Sequence, residues 1–231
     1  DTDIVRKEMY SFLDRGEQKL TLRPEGTAAI CRAYLEHGMH NGPQPVRLFY
    51  ACPMFRYDRP QAGRYRQFHQ FGVESIGDAS PSVDVEVIQL AVASIEALGL
   101  GRMTLLINSI GDFEDRAPYL KALQDYYAPR LESLCVDCQR RYQRNPLRLL
   151  DCKQDQCKPH LVGAPKSTSY LGQAAKTHWE ELLNSLSDLG VSYEIDHRLV
   201  RGLDYYTRTV FEITPVGDIS QGAVCAGGRY D

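Results

Sequence analysis

The chain is 231 residues long, 43% hydrophobic and 25% charged, which is ordinary globular composition with enough length to bury a substantial core. No apolar run approaches the length of a membrane span, and Asp1-Thr-Asp-Ile-Val-Arg6 lacks the pattern of a signal peptide. A net charge of -3 argues against strong non-specific binding to nucleic acid and leaves local basic patches free to act. Seven cysteines, an odd number, fit a reducing compartment better than a disulfide framework. Both ends read as cut: residues 1–20 resemble the middle of a sheet region, and the chain stops just after a glycine-rich turn. A piece of a longer protein is the expectation.

Residues 17–23 predict a short strand, broken by Arg23-Pro-Glu-Gly-Thr27. Thr27 is placed to cap a helix running to about His37, with Gly38 as its terminator. Glu25 then sits in the strand-to-helix turn beside backbone N–H groups, where a carboxylate is commonly a cap.

The next stretch is the most informative. Residues 46–57 are apolar and aromatic, and Arg59-Pro-Gln-Ala-Gly63 carries turn chemistry. Residues 64–74 form a second strand, so the whole predicts an antiparallel hairpin. At a two-residue period Arg66, Phe68, Gln70, Gly72 and Glu74 share one face, which spans about 26 Å. A guanidinium, an aromatic plate, an amide, a gap and a carboxylate in a row suit a nucleoside triphosphate with a small polar molecule beside it. Arg56, Arg59, Arg64 and Arg66 bracket the turn, and arginine is the residue for multidentate phosphate contact. Arginines at a hairpin tip also occur simply as a solvated cationic surface; the ordered polar face behind the tip favours a ligand site.

Ser80-Pro81 opens a helix whose stripe of Val87, Leu90, Ala91, Ile95 and Leu98 is expected to face the core, with Gly99 closing it. Residues 103–107 predict a buried strand. From 111 to about 190 the character turns helical. Tyr119, Leu123, Tyr126, Tyr127 and Leu131 recur at helical spacing, basic residues become frequent, and a final helix covers 174–189. Those basic residues offer a polyphosphate contact, but Asp and Glu are interleaved throughout, which favours a solvated surface. Cys135-Val-Asp-Cys138 and Cys152-(x₄)-Cys157 are candidate ligands of a four-thiolate zinc site. The second spacing is loose for a zinc knuckle, so buried free thiols are the favoured reading and no metal is expected.

Strand patterns return over 191–196, 200–213 and 222–230. Arg201-Gly202 enters the second of these, placing a cation where glycine permits close approach. Tyr205 and Tyr206, as neighbours in a strand, are expected on opposite faces, one towards a ligand and one towards the core. Gly227-Gly228 marks a place where the backbone nears another group, with Tyr230 just beyond.

Taken in order, Leu22-Arg-Pro-Glu-Gly-Thr27, Phe55-Arg56 with Arg59-Pro-Gln-Ala-Gly-Arg64-Tyr-Arg-Gln-Phe68 and Glu74, Leu199-Val-Arg-Gly-Leu-Asp-Tyr-Tyr206 and Ala226-Gly-Gly-Arg-Tyr-Asp231 resemble the catalytic core of the histidyl-tRNA synthetases. The hairpin resembles motif 2 of class II synthetases, and the last two segments resemble the histidine-specific signatures. The resemblance implies an α+β fold: a mixed, mostly antiparallel sheet flanked by helices. In that fold 1–110 is the first part of the core, 111–190 a helical insertion, and 191–231 the second part of the core. It also implies activation of L-histidine with ATP and Mg²⁺, transfer to tRNA(His), a cytoplasmic location, and a homodimeric full-length protein.

The same resemblance assigns roles. Arg56 contacts the α-phosphate and the substrate carboxylate, Arg64 the outer phosphates, and Phe68 stacks on adenine. Glu25, Gly26, Thr27 and Gln70 hold the α-amino group. Glu74 and Tyr206 bracket the imidazole nitrogens, with Tyr205 and Tyr230 lining that pocket, since a neutral imidazole offers one donor and one acceptor. Arg201 stabilises charge during adenylation, where other class II enzymes place a metal or another cation. Motif 1, motif 3 and the anticodon-binding domain have no counterpart in these residues, so weak or absent activity is expected of this chain alone. The alternative is a non-catalytic, histidine-sensing regulatory subunit of histidine biosynthesis, in which phosphate-binding and catalytic arginines are expected to be lost.

Overall fold

A computed structural model describes residues 8–58, 64–200, 205–216 and 222–231. The chain divides into two compact units, Asp1–Val83 and Asp84–Asp231.

The first unit is built on the expected hairpin. Strands β3 (Val46–Phe55) and β4 (Gln67–Ile76) pair antiparallel over their full length, from Val46 with Ile76 to Phe55 with Gln67. β1 (Ser11–Leu13) and β2 (Lys19–Thr21) form a second antiparallel pair; β2 is the strand expected at 17–23, and β1 carries no sequence pattern long enough to predict. Helix α1 (Thr27–Glu36) ends as expected at Gly38, whose φ of 61° is left-handed. Its start differs from expectation. The N-cap is Gly26, without a side-chain cap, because the Thr27 hydroxyl is committed elsewhere. Glu25 takes the capping role instead, accepting the Ala28 N–H at 3.1 Å.

In the second unit, β5 (Met103–Ser109) lies between β6 (Glu194–Ile195) and β7 (Tyr206–Pro215), and β8 (Cys225–Tyr230) completes the order β6-β5-β7-β8. β5–β6 is parallel and the other two pairings are antiparallel, so the sheet is mixed and mostly antiparallel, as expected. The strand expected over 191–196 shortens to two residues. Helices α2 (Pro81–Ala97) and α5 (Gln173–Asp188) pack on this sheet. Val85, Ile88 and Ile95 from α2 and Trp179, Leu182 and Leu186 from α5 close over Leu105, Ile107, Phe211 and Ile213. The expected stripe is thus present in part: Ile95 is buried and Val87 and Ala91 pack against this core, whereas Leu90 and Leu98 are exposed. Val85 and Ile88 supply the rest of the buried face, and only the packing partner shows which edge of the stripe is covered.

Helices α3 (Phe113–Tyr127) and α4 (Val136–Arg144) supply the expected helical stretch and carry their own core of Tyr119, Leu123, Tyr127, Leu134, Leu149 and Leu150. The basic residues there mostly pair locally, Arg148 with Asp151 at 3.5 Å and Lys158 with Asp155 at 2.6 Å, as a solvated surface does.

One buried polar network ties these layers together. Asp84 near the start of α2, only 9% exposed, accepts hydrogen bonds from His178 Nε2 (2.7 Å), Thr209 Oγ1 (2.6 Å) and the Arg229 guanidinium (2.8 and 3.0 Å). Arg208, at φ 46° in a bulge of β7, reaches His178 Nδ1 and clasps Asp112 at 2.7 and 3.0 Å. Arginine only donates, so His178 accepts at Nδ1 and carries its proton on Nε2. Burial pushes the Asp84 carboxyl up, but the His178 hydrogen bond and the Arg229 charge outweigh it and hold the group below the usual carboxylate value. A carboxylate lowered in the folded state contributes stability above its unfolded value of about 3.9, and that contribution is lost as pH falls through the folded value. Asp84→Asn leaves Arg229 buried beside a neutral amide and is expected to cost about 3–5 kcal/mol in urea unfolding at neutral pH. The loss should shrink as the pH is lowered through the carboxylate range, and a pH-independent difference would contradict the charge-based account.

Candidate active site

The face predicted on β4 is present from Phe68 to Glu74, whereas Arg66, expected on it, lies before the strand and is exposed. Phe68, Gln70, Gly72 and Glu74 lie opposite Met54, Cys52, Tyr50 and Leu48 of β3, and partners directly across an antiparallel ladder share a face. Burial alternates along β4 accordingly, with Gln67, His69 and Phe71 exposed and Phe68 and Gln70 half-buried.

Glu74 is the fixed point of this face. It is 9% exposed, and its Oε1 accepts a 2.7 Å hydrogen bond from Thr27 Oγ1, which explains why that hydroxyl does not cap α1. Gln70 stands two repeats away, beyond Gly72, and its buried Oε1 has no hydrogen-bond partner among the described residues. A buried acceptor without a donor is a costly arrangement unless a ligand supplies one. An ammonium group meets that need. Glu25, in the same turn as Thr27, is held by the Ala28 N–H.

Arg56 lies just past the end of β3, where its N–H bonds Arg66 O at 3.0 Å. Its Nε donates to Pro24 O at 2.7 Å, and its guanidinium lies 5.2 Å from the Phe68 ring centroid. The cation is thus fixed in direction by the Arg23-Pro24 turn and by the aromatic plate. Arg64 is nearer the tip and half-exposed, bonded to Asp58 at 3.4 Å. Arg66 stacks over Tyr57 with a 4.2 Å separation. Arg59 lies outside the described residues.

Tyr50 was not singled out in the sequence, yet it shapes the floor. A Cβ on Gly26 or on Gly72 would overlap its ring, so the ring occupies the space that both glycines leave. Reading β3 at the same two-residue period as β4 would have placed Tyr50 opposite the gap at Gly72.

In the second unit, Tyr205, Tyr206 and Tyr230 cluster. Ring centroids are 4.7 Å apart for Tyr205–Tyr206 and 5.7 Å for Tyr205–Tyr230, and Tyr206 pairs with Tyr230 across β7–β8. The expectation of opposite faces for Tyr205 and Tyr206 therefore fails. Tyr205 belongs to the turn before β7, and strand alternation does not apply to it. Gly227 and Gly228 do meet close neighbours, but these are the Phe211 ring and the Tyr206 ring with Thr209 O. Arg201 and Gly202 lie outside the described residues. Cys135, Cys138, Cys152 and Cys157 also come together; burial and neighbouring thiols raise the Cys138 thiol, and burial raises Cys157, whereas the Cys138 amide and nearby thiols lower Cys135 despite its burial.

Comparison with known proteins accounts for these motifs. The family model described as Histidyl-tRNA synthetase matches residues 1–231. The histidine–tRNA ligase of Desulfitobacterium hafniense is 53% identical over 231 residues, covering 100% of this chain and 54% of the relative. That of Desulforudis audaxviator is 55% identical over 230 residues, covering 100% of this chain and 55% of the relative. Among solved structures, apo S. aureus histidyl-tRNA synthetase matches with a TM-score of 0.75 and 43% identity, over 99% of this chain and 55% of that one. A Bacillus halodurans protein described as an ATP phosphoribosyltransferase regulatory subunit/histidyl-tRNA synthetase matches with a TM-score of 0.67 at 26% identity, over 97% of this chain and 62% of that one. The fold is that of a class II aminoacyl-tRNA synthetase core. The chain belongs to the histidyl-tRNA synthetase family, and it spans about half the length of the curated relatives it matches.

The contact between Tyr50 and its two glycines yields a test. Gly72→Ala is expected to destabilise by about 1–3 kcal/mol through overpacking, and Tyr50→Leu in the same chain should recover part of that loss. Strictly additive effects in a double-mutant cycle of urea unfolding would show that the two residues do not share this space.

Proposed function

We propose that this chain is the catalytic core of a histidine–tRNA ligase, which condenses L-histidine with ATP to histidyl-adenylate and pyrophosphate and then transfers histidine to tRNA(His). The observation that carries this reading is the β4 face, with Glu74 buried on Thr27, Gln70 Oε1 left without a donor, and Arg56 locked against Phe68.

The roles follow from that chemistry. Gln70, Thr27, Glu25 and the small residue Gly26 receive the α-amino group. Glu74 accepts the imidazole N–H, and Tyr206 is assigned the second ring nitrogen, with Tyr205 and Tyr230 beside it. Arg56 binds the α-phosphate and the histidine carboxylate, which brings two anions together before bond formation. Phe68 stacks on adenine, and Arg64 leaves Asp58 for the outer phosphates. In-line attack of the carboxylate builds negative charge at the α-phosphate, and Arg201 stabilises it without transferring a proton. The outer phosphates would hold Mg²⁺, which would add to the neutralisation of the leaving pyrophosphate. Residues 111–190 act as a helical insertion between two parts of the core, in a full-length protein that works as a cytoplasmic homodimer.

The regulatory-subunit reading shares the fold, as the Bacillus halodurans match illustrates. The ligases, however, are 53–55% identical over the whole chain, against 26% for that match. Arg56, Arg64 and Arg201, which a non-catalytic paralogue is free to lose, are all present.

Histidine-dependent ATP–pyrophosphate exchange, measured in the full-length protein, separates the two. Exchange is expected, whereas histidine binding without exchange would favour the regulatory reading. Glu74→Gln should weaken histidine binding on the order of tenfold or more, because it removes a charged acceptor. Arg201→His should lower the exchange rate by about a hundredfold or more while histidine affinity stays within about tenfold. Equal losses in affinity and rate would remove Arg201 from the chemical step.

A further inference from the structure

The insertion contains a side-chain cluster that the proposed reaction does not use. Cys135 is the N-cap residue of α4 and Cys138 lies in its first turn. Cys152 follows the 3₁₀ turn Pro146–Leu149, and Cys157 precedes the 3₁₀ turn Lys158–His160. Their four Sγ atoms all lie within 4.8 Å of one another, and Cys135 and Cys152 are 3.8 Å apart.

That last distance is informative. A tetrahedral zinc tetrathiolate with bonds of about 2.3 Å has sulfur–sulfur edges of about 3.8 Å. One edge is already at that length, and the others need to contract by about 1 Å at most. A disulfide requires about 2.05 Å, and all seven cysteines are free thiols. Free thiols that merely fill a core have no reason to converge from three short segments. Here the backbone N–H of Cys135 donates to Cys157 Sγ at 3.3 Å, which treats that sulfur as an acceptor, as outer-sphere amides do for metal-bound thiolates. Cys138, Cys152 and Cys157 are buried, within the apolar core of Tyr127, Leu134 and Leu149. The donor set is all sulfur, which selects zinc over magnesium or calcium, and four protein ligands leave no open position for chemistry.

We propose that Cys135, Cys138, Cys152 and Cys157 bind one structural Zn²⁺ ion that fastens the start of α4 to the segment 150–157. That segment has little regular secondary structure to hold it, since only turns separate Leu149 from Lys158. Binding replaces the thiol protons by the ion, so affinity should fall at low pH.

Protein expressed with added zinc and purified without chelator is expected to contain about one zinc per chain by elemental mass spectrometry. Cobalt(II) substitution should give the intense visible and sulfur-to-metal charge-transfer bands of a tetrahedral tetrathiolate, a readout that needs no variant to fold. Cys138→Ser should lower zinc content to below about 0.2 per chain, while Cys31→Ser, outside the cluster, keeps about one. Folded protein without zinc, zinc retained fully by Cys138→Ser, a six-coordinate cobalt spectrum, or iron in place of zinc would each overturn the assignment.

Discussion

The pairing register of β3 with β4 is the constraint on which the catalytic reading depends. Side chains alternate across a strand with a period of two, so a slip of one residue would move Phe68, Gln70 and Glu74 together to the exposed face. Ten residue pairs over a long hairpin are not enough by themselves to prevent such a slip. What fixes it is the Tyr50 ring, seated in the space left by Gly72 on β4 and by Gly26 before α1. The same ring brings the Thr27 turn against the strand, where Thr27 Oγ1 meets Glu74. Register, helix position and carboxylate orientation are therefore one packing solution, and the ligand-facing groups inherit their placement from it.

The two units hold their charges differently. In the second, Asp84 is surrounded by His178, Thr209 and Arg229, each donor aimed at a carboxylate oxygen. Every charge there is matched by another protein group, which makes the network a structural fastening between α2, α5, β7 and β8. On the β4 face a buried acceptor, Gln70 Oε1, is left without a protein donor, and Arg64 near the tip is half-exposed on one long contact to Asp58. Ser75 Oγ and Thr207 Oγ1 are also buried without a hydrogen-bond partner among the described residues, but Gln70 Oε1 shares its strand face with Phe68 and Glu74, and that combination favours a ligand there.

Much of this was legible in the sequence because it is local. Alternation along β4, the glycine that ends α1, and the helical spacing of Tyr119, Leu123 and Tyr127 all involve residues close in the chain. What escaped was set by residues far apart. Leu90 and Leu98 were wrongly included in the α2 stripe because they satisfy the same period as Ala91 and Ile95, and only the packing of the buried core that Val85 and Ile88 share with β5 and α5 shows which edge is covered. Thr27 was read as a cap because the nearest backbone N–H is the default partner of a hydroxyl before a helix; Glu74, 47 residues away, supplies a better one. Asp84, His178 and Thr209 drew no notice, and Arg229 was quoted only within the motif at 226–231, since the four come from different elements and nothing local links them. The tyrosine pair was misread for a local reason, as β7 begins at Tyr206, inside the stretch 200–213 read as strand, and leaves Tyr205 in the turn before it.

The helical stretch shows the same division between local pattern and tertiary outcome. Its core centres on Tyr119, Leu123, Tyr127, Leu134, Leu149 and Leu150, and between Leu150 and Lys158 only Cys152 and Cys157 are buried in it. Exposed loop segments of this kind are commonly held by disulfides or metals, because the entropy of ordering loop residues, about 1–2 kcal/mol each, exceeds what their few contacts return. Four thiols brought within reach of one another at that point make sense as such a supplement. The loose spacing of Cys152 and Cys157 argued against metal only while the pair was imagined as a single tight turn. Once each cysteine sits at the edge of its own 3₁₀ turn, four intervening residues are the length the path requires.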